Sequence, residues 1–244
     1  MKDMTWLTKS KLAHRGLHTK DLSVAENSMA AFKRGMEAGY GLELDLNMLK
    51  DETIVVFHDN NLKRLTGIDR HISTFDYPEI KTLKLLNTNE SIPTLDDLLS
   101  LVKGQVPLLI ELKPFGHIER FCEIVYEKLK HYQGKFAIFS FHPGVVKWFK
   151  KHAPDIIRGQ ISTNFKGSKD TKPILGFLLT RLFFNRFTKP DFISYNVEHM
   201  PNKYIDKAKK RGLTIISYVA RNQKTYDFVK QNYDNIVFEF FDPK

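Results

Sequence analysis

Glu43 and Asp45 stand two positions apart inside an apolar run, GLELDL, and Glu111 and Lys113 stand two apart in another, LLIELK. Alternate residues of a β-strand point to one face. Each pair therefore shares a face, while Leu42, Leu44 and Leu46, or Ile110 and Leu112, take the other. Residues two apart on a strand have α-carbons separated by about 6.6 Å, two rises of about 3.3 Å. Three carboxylates gathered in one place repel, and burial would push their pKa values up until one took a proton. A divalent cation removes that conflict and keeps all three ionised. Oxygen-only donors favour a hard ion, Mg2+ or Ca2+, over zinc. The alternative use of the same charges is a set of internal salt bridges, Glu111 with Lys113 or Arg15.

Two histidines sit where they could join this group: His14 in AHRG and His58 in FHD. A pair of imidazoles titrating near neutrality beside a metal is what general acid–base catalysis requires. Arg15 and Lys113 add positive charge for an anionic oxygen. Acid, base, metal and cationic clamp together point to phosphoryl chemistry. The seven remaining histidines read as core or surface residues.

These groups need a scaffold that aims them at one point. Apolar runs recur at 12–16, 40–46, 107–113, 135–141, 156–162, 191–197, 213–219 and 235–240, separated by amphipathic stretches such as NSMAAFKRGMEAG and HIERFCEIVYEKLKHY. Alternating β and α elements imply a parallel sheet with right-handed crossovers. Eight such strands in one chain of this length predict a (β/α)8 TIM barrel, whose C-terminal strand ends host active sites. A further run, TIVVFHD at 53–59, follows too closely for a parallel crossover and must return antiparallel. A hairpin centred on Lys50–Asp51 places His58 roughly opposite Glu43. Residues 60–93 break the β/α rhythm with turn chemistry (HDNN, LTGIDR), so they read as a small insertion after the hairpin, over the barrel mouth and without a core of its own. The next helix begins at Thr94, where TLDD supplies an N-cap hydroxyl and an acid three residues on. The chain, 1–244, thus reads as a single domain.

The bulk numbers bound the partners. Hydrophobic residues make up 42% and charged residues 27% of the 244 residues, ordinary values for a globular enzyme. The net charge of +10 favours anionic partners, or reflects a lysine-rich solvated surface. No zinc-finger, recognition-helix or RNA-binding aromatic motif is present, so nucleic acid is not expected. The single cysteine, Cys122, excludes an internal disulfide. With no signal peptide or membrane-spanning run, the chain is expected to be cytoplasmic. Residues 169–190 combine Phe177, Leu178, Leu182, Phe183, Phe184 and Phe187 with Lys172, Arg181, Arg186 and Lys189. This segment is either an outer barrel helix with its apolar face inward or a peripheral contact for an anionic membrane.

The motifs AHRG, AENSMAAFKRGMEAG, LELDLNMLKDETIVVFHDNNLKRLTG, IPTLDDLL and IELKP resemble the glycerophosphodiester phosphodiesterase family, within the phospholipase-C-like barrels. The likeness is close over the first half; later it rests on strand–helix rhythm and on RGQIS, PDFISYN and IVFEFF. It implies hydrolysis of a glycerophosphodiester to glycerol 3-phosphate and an alcohol. It further implies that His14 and His58 are the acid–base pair, that Glu43, Asp45 and Glu111 hold one divalent cation, and that Arg15 and Lys113 hold the phosphate. Glu26 and Asn27 match the family's "EN", supporting the mouth or simply opening a helix. Two places depart from the pattern: Arg64–Leu65–Thr66 replaces arginine–threonine–threonine, and Tyr218–Val219 replaces Trp-Thr, which makes Tyr218 the expected substrate-facing residue on the alcohol side. Alternatives to this reading are action on membrane lysophospholipids as a lysophospholipase D, and a non-catalytic phosphate-binding or scaffolding barrel.

Overall fold

A computed structural model describes residues 2–168 and 171–244. Lys169 and Asp170, at the head of the basic apolar segment, lie outside the described residues. The chain divides into two compact units, residues 10–136 and residues 1–9 with 137–244.

In the first unit, β1 (Leu12–Ala13) pairs in parallel with β2 (Gly41–Met48), which in turn pairs in parallel with β4 (Leu108–Leu112). The β2–β4 register sets Asp45 against Glu111. Strand β3 (Ile54–Val56) returns antiparallel on β2, as the short connection requires. Its register pairs Leu46 with Val56 and Met48 with Ile54. Continued outward, that register brings His58 opposite Leu44, one residue from the expected Glu43. The turn explains the slip. Leu49 N–H donates to Thr53 O at 2.9 Å, and Glu52 adopts φ 65°, so the loop takes three residues and centres on Asp51. Leu42, Leu44 and Leu46 are fully buried, and the helix Met29–Glu37, N-capped by Ser28, packs on β2.

Residues 60–93 form short helices at Lys63–Thr66 and Tyr77–Ile80 and a 3-10 turn at Ile72–Thr74. Leu62, Leu65, Ile72, Phe75, Ile80, Leu85 and Ile92 bury themselves together around Ala25, Leu49, Val55 and Phe57. The insertion thus builds an apolar cluster rooted on the hairpin. Leu65, the departure from the arginine–threonine–threonine pattern, is one of its members. The helix Leu95–Val102 then starts as predicted, with Thr94 and Asp97 forming a reciprocal capping box.

The second unit strings β5 (Phe136–Ser140), β6 (Ile157–Ser162), β7 (Phe192–Asn196), β8 (Thr214–Ala220) and β9 (Asn235–Phe238). Strands β5 to β8 each pair in parallel with their successors. Helices Pro143–His152, Pro173–Thr180, Lys203–Lys210 and Gln223–Asn232 connect them, the last two N-capped by Asn202 and Asn222. The strand order β1-β9-β8-β7-β6-β5-β4-β2-β3, with β1 also paired to β2, is that of a closed (β/α)8 barrel carrying β3 as a hairpin arm. Each of the eight predicted runs falls on one of its parallel strands, with β2 and β8 reaching two residues and one residue past theirs. No helix among the described residues is long and apolar enough to cross a membrane.

Candidate active site

Strand alternation and the β2–β4 register deliver the acids as the spacing suggested. One carboxylate oxygen each from Glu43, Asp45 and Glu111 lies within 4.8 Å of the others, and all three residues are buried. Lys113 Nζ donates to Glu111 Oε1 at 3.1 Å and to Asp45 Oδ1 at 3.4 Å. Arg15 Nε stands 3.4 Å from Asp45 Oδ2, while its Nη1 donates to Glu26 at 2.7 Å. The salt bridges considered as an alternative therefore exist in part, yet two cations face three acids.

The backbone is bent to serve this cluster. Arg15 and Asn27 both sit in the left-handed region, at φ 52° and 54°. Strain of that kind persists where surrounding contacts dictate it. Arg15 N–H donates to Glu43 Oε2 at 2.9 Å, Asn27 N–H to Arg15 O at 2.9 Å, and Asn27 Nδ2 to Asp45 Oδ2 at 2.9 Å. Gly16, at φ 75°, lies so close to the helix Met29–Glu37 that a Cβ there would meet Ala31 at 2.9 Å. The glycine of AHRG is thus a packing requirement.

Charge balance separates the three acids. Burial, then the charges of Asp45 and Glu111, hold the Glu43 carboxyl well above its usual range. Burial also raises Glu111, against the pull of Lys113. Burial would raise Asp45 too, but Lys113, His58, Arg15 and the Asn27 hydrogen bond outweigh it and hold that carboxyl far below the usual range. Glu111 and Asp45 overcome the burial of Lys113 and keep its ammonium protonated.

His14 Nε2 lies 4.0 Å from Glu43 Oε2. His58 Nδ1 pairs with Asp59 Oδ1 at 2.6 Å. Asp59 accepts from Arg64 Nε at 2.7 Å, and Arg64 forks onto both oxygens of Glu26 at 2.8 and 2.7 Å. A continuous chain of charge-assisted bonds thus runs from His58 through Asp59, Arg64 and Glu26 to Arg15. Sequence reasoning missed Asp59 and gave Arg64 no role of its own, noting it only within the Arg64–Leu65–Thr66 departure. The available signal was the FHD tripeptide, an acid next to the proposed catalytic histidine. His18, dismissed with the other histidines, has its ring 6.4 Å from that of His14. A cleft of about 730 Å³ is bordered by His58, Asp59, Arg64 and Lys113, among others. Tyr218 belongs to the other unit, where its hydroxyl donates to Ser162 O at 3.0 Å and its ring meets Phe141 edge-on.

The donor set fits a hard divalent cation. Three carboxylates converge, burial raises two of them, and Asn27 Oδ1 beside Asp45 is a buried oxygen with no hydrogen-bond partner.

A family profile described as the glycerophosphoryl diester phosphodiesterase family matches residues 14–242. The chain is 30% identical to a glycerophosphodiester phosphodiesterase of Bacillus altitudinis over 156 residues, 59% of this chain and 62% of that one. A lysophospholipase D of Homo sapiens, GDPD1, shares 46% identity over 70 residues, 28% of this chain and 21% of that protein. Among solved structures, an Oleispira antarctica phosphodiesterase in complex with the product sn-glycerol-3-phosphate superposes with a TM-score of 0.79 at 21% identity, covering 95% of this chain and 92% of that one. The chain belongs to the glycerophosphoryl diester phosphodiesterase family.

Proposed function

We propose that the chain hydrolyses glycerophosphodiesters to glycerol 3-phosphate and an alcohol. The observation that carries this reading is the convergence of Glu43, Asp45 and Glu111 within 4.8 Å, with Lys113 and Arg15 against them. Those three carboxylates hold one divalent cation, Mg2+ or Ca2+, which when bound neutralises charge on the phosphate and polarises its P–O bonds.

The chain's own residues supply the rest. Arg15 and Lys113 bind the phosphate oxygens and stabilise charge in the transition state. His14 and His58 divide the proton transfers. One takes the proton of the nucleophile, a water or the glycerol 2-hydroxyl, as its oxygen bonds to phosphorus. The other gives a proton to the departing alkoxide as the bond from phosphorus to the alcohol oxygen breaks. Attack by the hydroxyl leaves a cyclic glycerol phosphate, whose bond from phosphorus to the 2-oxygen water then breaks to give glycerol 3-phosphate. Asp59 bonds Nδ1 of His58 and so fixes the ring with Nε2 free to exchange the proton. Arg64 and Glu26 hold Asp59 in place. Tyr218 is assigned to the alcohol side of the substrate. The single barrel spanning 1–244, with 60–93 as its insertion, is taken as the catalytic domain. A buried thiol at Cys122, pushed up to about 12 by burial, suits the cytoplasm.

The test is release of glycerol 3-phosphate from a panel of glycerophosphodiesters differing in the alcohol. Turnover of at least one by the wild-type chain, lost in Asp45→Asn, supports the reading. No glycerol 3-phosphate from any member overturns it. The identity shared with the human lysophospholipase D over 70 residues favours adding lysophospholipids to the panel as a second substrate class.

A further inference from the structure

The segment between β6 and β7 has an outer face that the barrel does not use. The helix Pro173–Thr180 turns Gly176 and Leu179 inward, and a Cβ on Gly176 would meet the Cβ of Phe165 at 2.9 Å. Its other apolar residues face solvent: Ile174 is 79% exposed and Phe177 53%, with Leu175 also exposed. Phe183 and Phe187 continue the patch, Phe187 at 50% exposure, and the rings of Phe184 and Phe187 each lie against that of Phe183. The expectation of a single apolar face turned inward thus accounts for only part of this helix. It carries more large apolar side chains than one buried stripe can hold.

The patch is also strongly basic. Residues 171–190 contain Lys172, Arg181, Arg186 and Lys189 and no acid. All four cations are exposed. The Arg181 guanidinium stacks on Phe177 at 3.3 Å, and Arg186 lies over Phe183 and Phe187 at 5.1 and 4.8 Å from the ring centroids. Each arginine therefore holds its charge at the level of an exposed ring. The backbone under the patch is fastened down. Ser162 Oγ donates to Leu179 O, Thr180 Oγ1 accepts from Phe165 N–H, and Lys150 Nζ donates to Phe187 O. This is a formed surface, presenting apolar tips ringed by cations.

We propose that this face docks on an anionic lipid bilayer. Phe177, Phe187 and Ile174 enter the boundary between headgroups and acyl chains, and Arg181, Arg186, Lys172 and Lys189 pair with lipid phosphates. Charge complementarity selects the partner: apolar side chains alone fit many surfaces, but four cations without an acid fit a sheet of negative headgroups. The net charge of +10 adds long-range attraction. Docking is independent of the catalytic reading, since it needs neither a metal nor turnover.

The experiment is co-sedimentation of the full chain with vesicles of equal parts phosphatidylglycerol and phosphatidylcholine, and with pure phosphatidylcholine, at low and high salt. Binding is expected on the anionic vesicles only, weakening as salt rises. Arg181→Gln with Arg186→Gln should weaken it roughly 30-fold, about fivefold per cation removed. Phe177→Ser with Phe187→Ser should weaken it at least about tenfold. Both double variants should keep the wild-type rate on a water-soluble glycerophosphodiester, showing that they fold. No binding at low salt, equal binding to both vesicle types, or binding unchanged in both variants overturns the proposal. So does a wild-type dimer that the phenylalanine variant splits, which would make the patch a self-association face.

Discussion

The two units of the molecule bury polar side chains in different ways. In the unit formed by residues 1–9 and 137–244, most of the buried polar residues on the strands are neutral: Ser140, Gln160, Ser162, Ser194, Ser217 and Asn235. Backbone groups satisfy several of them, with Gln160 Nε2 donating to the carbonyls of Ser140, Phe141 and Ile161, and Asn235 Nδ2 donating to Leu7 O. The charged residues buried there each have a counter-charge, Arg158 with Asp191 and Glu239 with Arg221. In residues 10–136 the buried residues of β2 and β4 include Glu43, Asp45 and Glu111, with Arg15 and Lys113 as their cations. One unit pairs its buried charges with its own residues, Arg158 with Asp191 and Glu239 with Arg221, and the other leaves a negative charge to be met from outside. Neutral groups with internal partners rigidify a core. Converging acids short of one counter-charge are a place for a ligand.

Several experiments break or sharpen that contrast. The largest effect belongs to the histidines. His14→Ala or His58→Ala should lower kcat by about 10²–10⁴ while leaving the melting temperature close to wild type. Wild-type rates in both variants would remove the acid–base assignment. Next comes the neutral network. Gln160→Ala strips the hydrogen bonds from three carbonyls and should cost about 2 kcal/mol. At about 2–4 °C per kcal/mol for a chain of this size, Tm should fall by about 4–8 °C. The rise in Tm on adding a divalent cation should survive this change, and its loss would show that the contrast between the units is drawn in the wrong place.

The smallest effect concerns the charge chain behind His58. Burial works against ionisation of Glu26 and Asp59, but Arg64 and Arg15 hold the first below its usual range, and His58 and Arg64 the second. Carboxyls lowered in the folded state stabilise it above their unfolded pKa values, near 4, and that contribution disappears as pH falls through the folded values. Arg64→Gln should therefore lower Tm by about 2–4 °C at neutral pH, and the gap should close on acidification. A gap that widens towards low pH would contradict the pairing.

Much of this was legible because strands and caps are local. The LELDL and LLIELK alternation fixed which acids share a face, and TLDD marked the helix start at Thr94 to the residue. The hairpin register was missed by one because a left-handed Glu52 lengthened the turn, and apolar residues at 53–57 do not reveal loop length. The link from Asp59 through Arg64 to Glu26 was hidden for another reason. Glu26 and Arg64 are 38 positions apart, and no periodicity joins a loop acid to a helix arginine. The insertion's cluster escaped notice because Leu62, Leu65, Ile72 and Phe75 follow no single repeat; turns, not helices, bring them together. Exposure of Ile174 and Phe177 was equally hard to foresee, since a helix apolar on most sides does not announce which side is covered.

The central claim is that three strand-borne acids require an added cation to act. Its most direct measurement is the rate of glycerophosphodiester hydrolysis by chelator-treated chain, before and after Mg2+ or Ca2+ is restored, with Glu43→Gln alongside. The account predicts background activity under chelation, recovery of the wild type with at least one of the two ions, and little or no recovery of the variant. Full activity in the presence of chelator would contradict it.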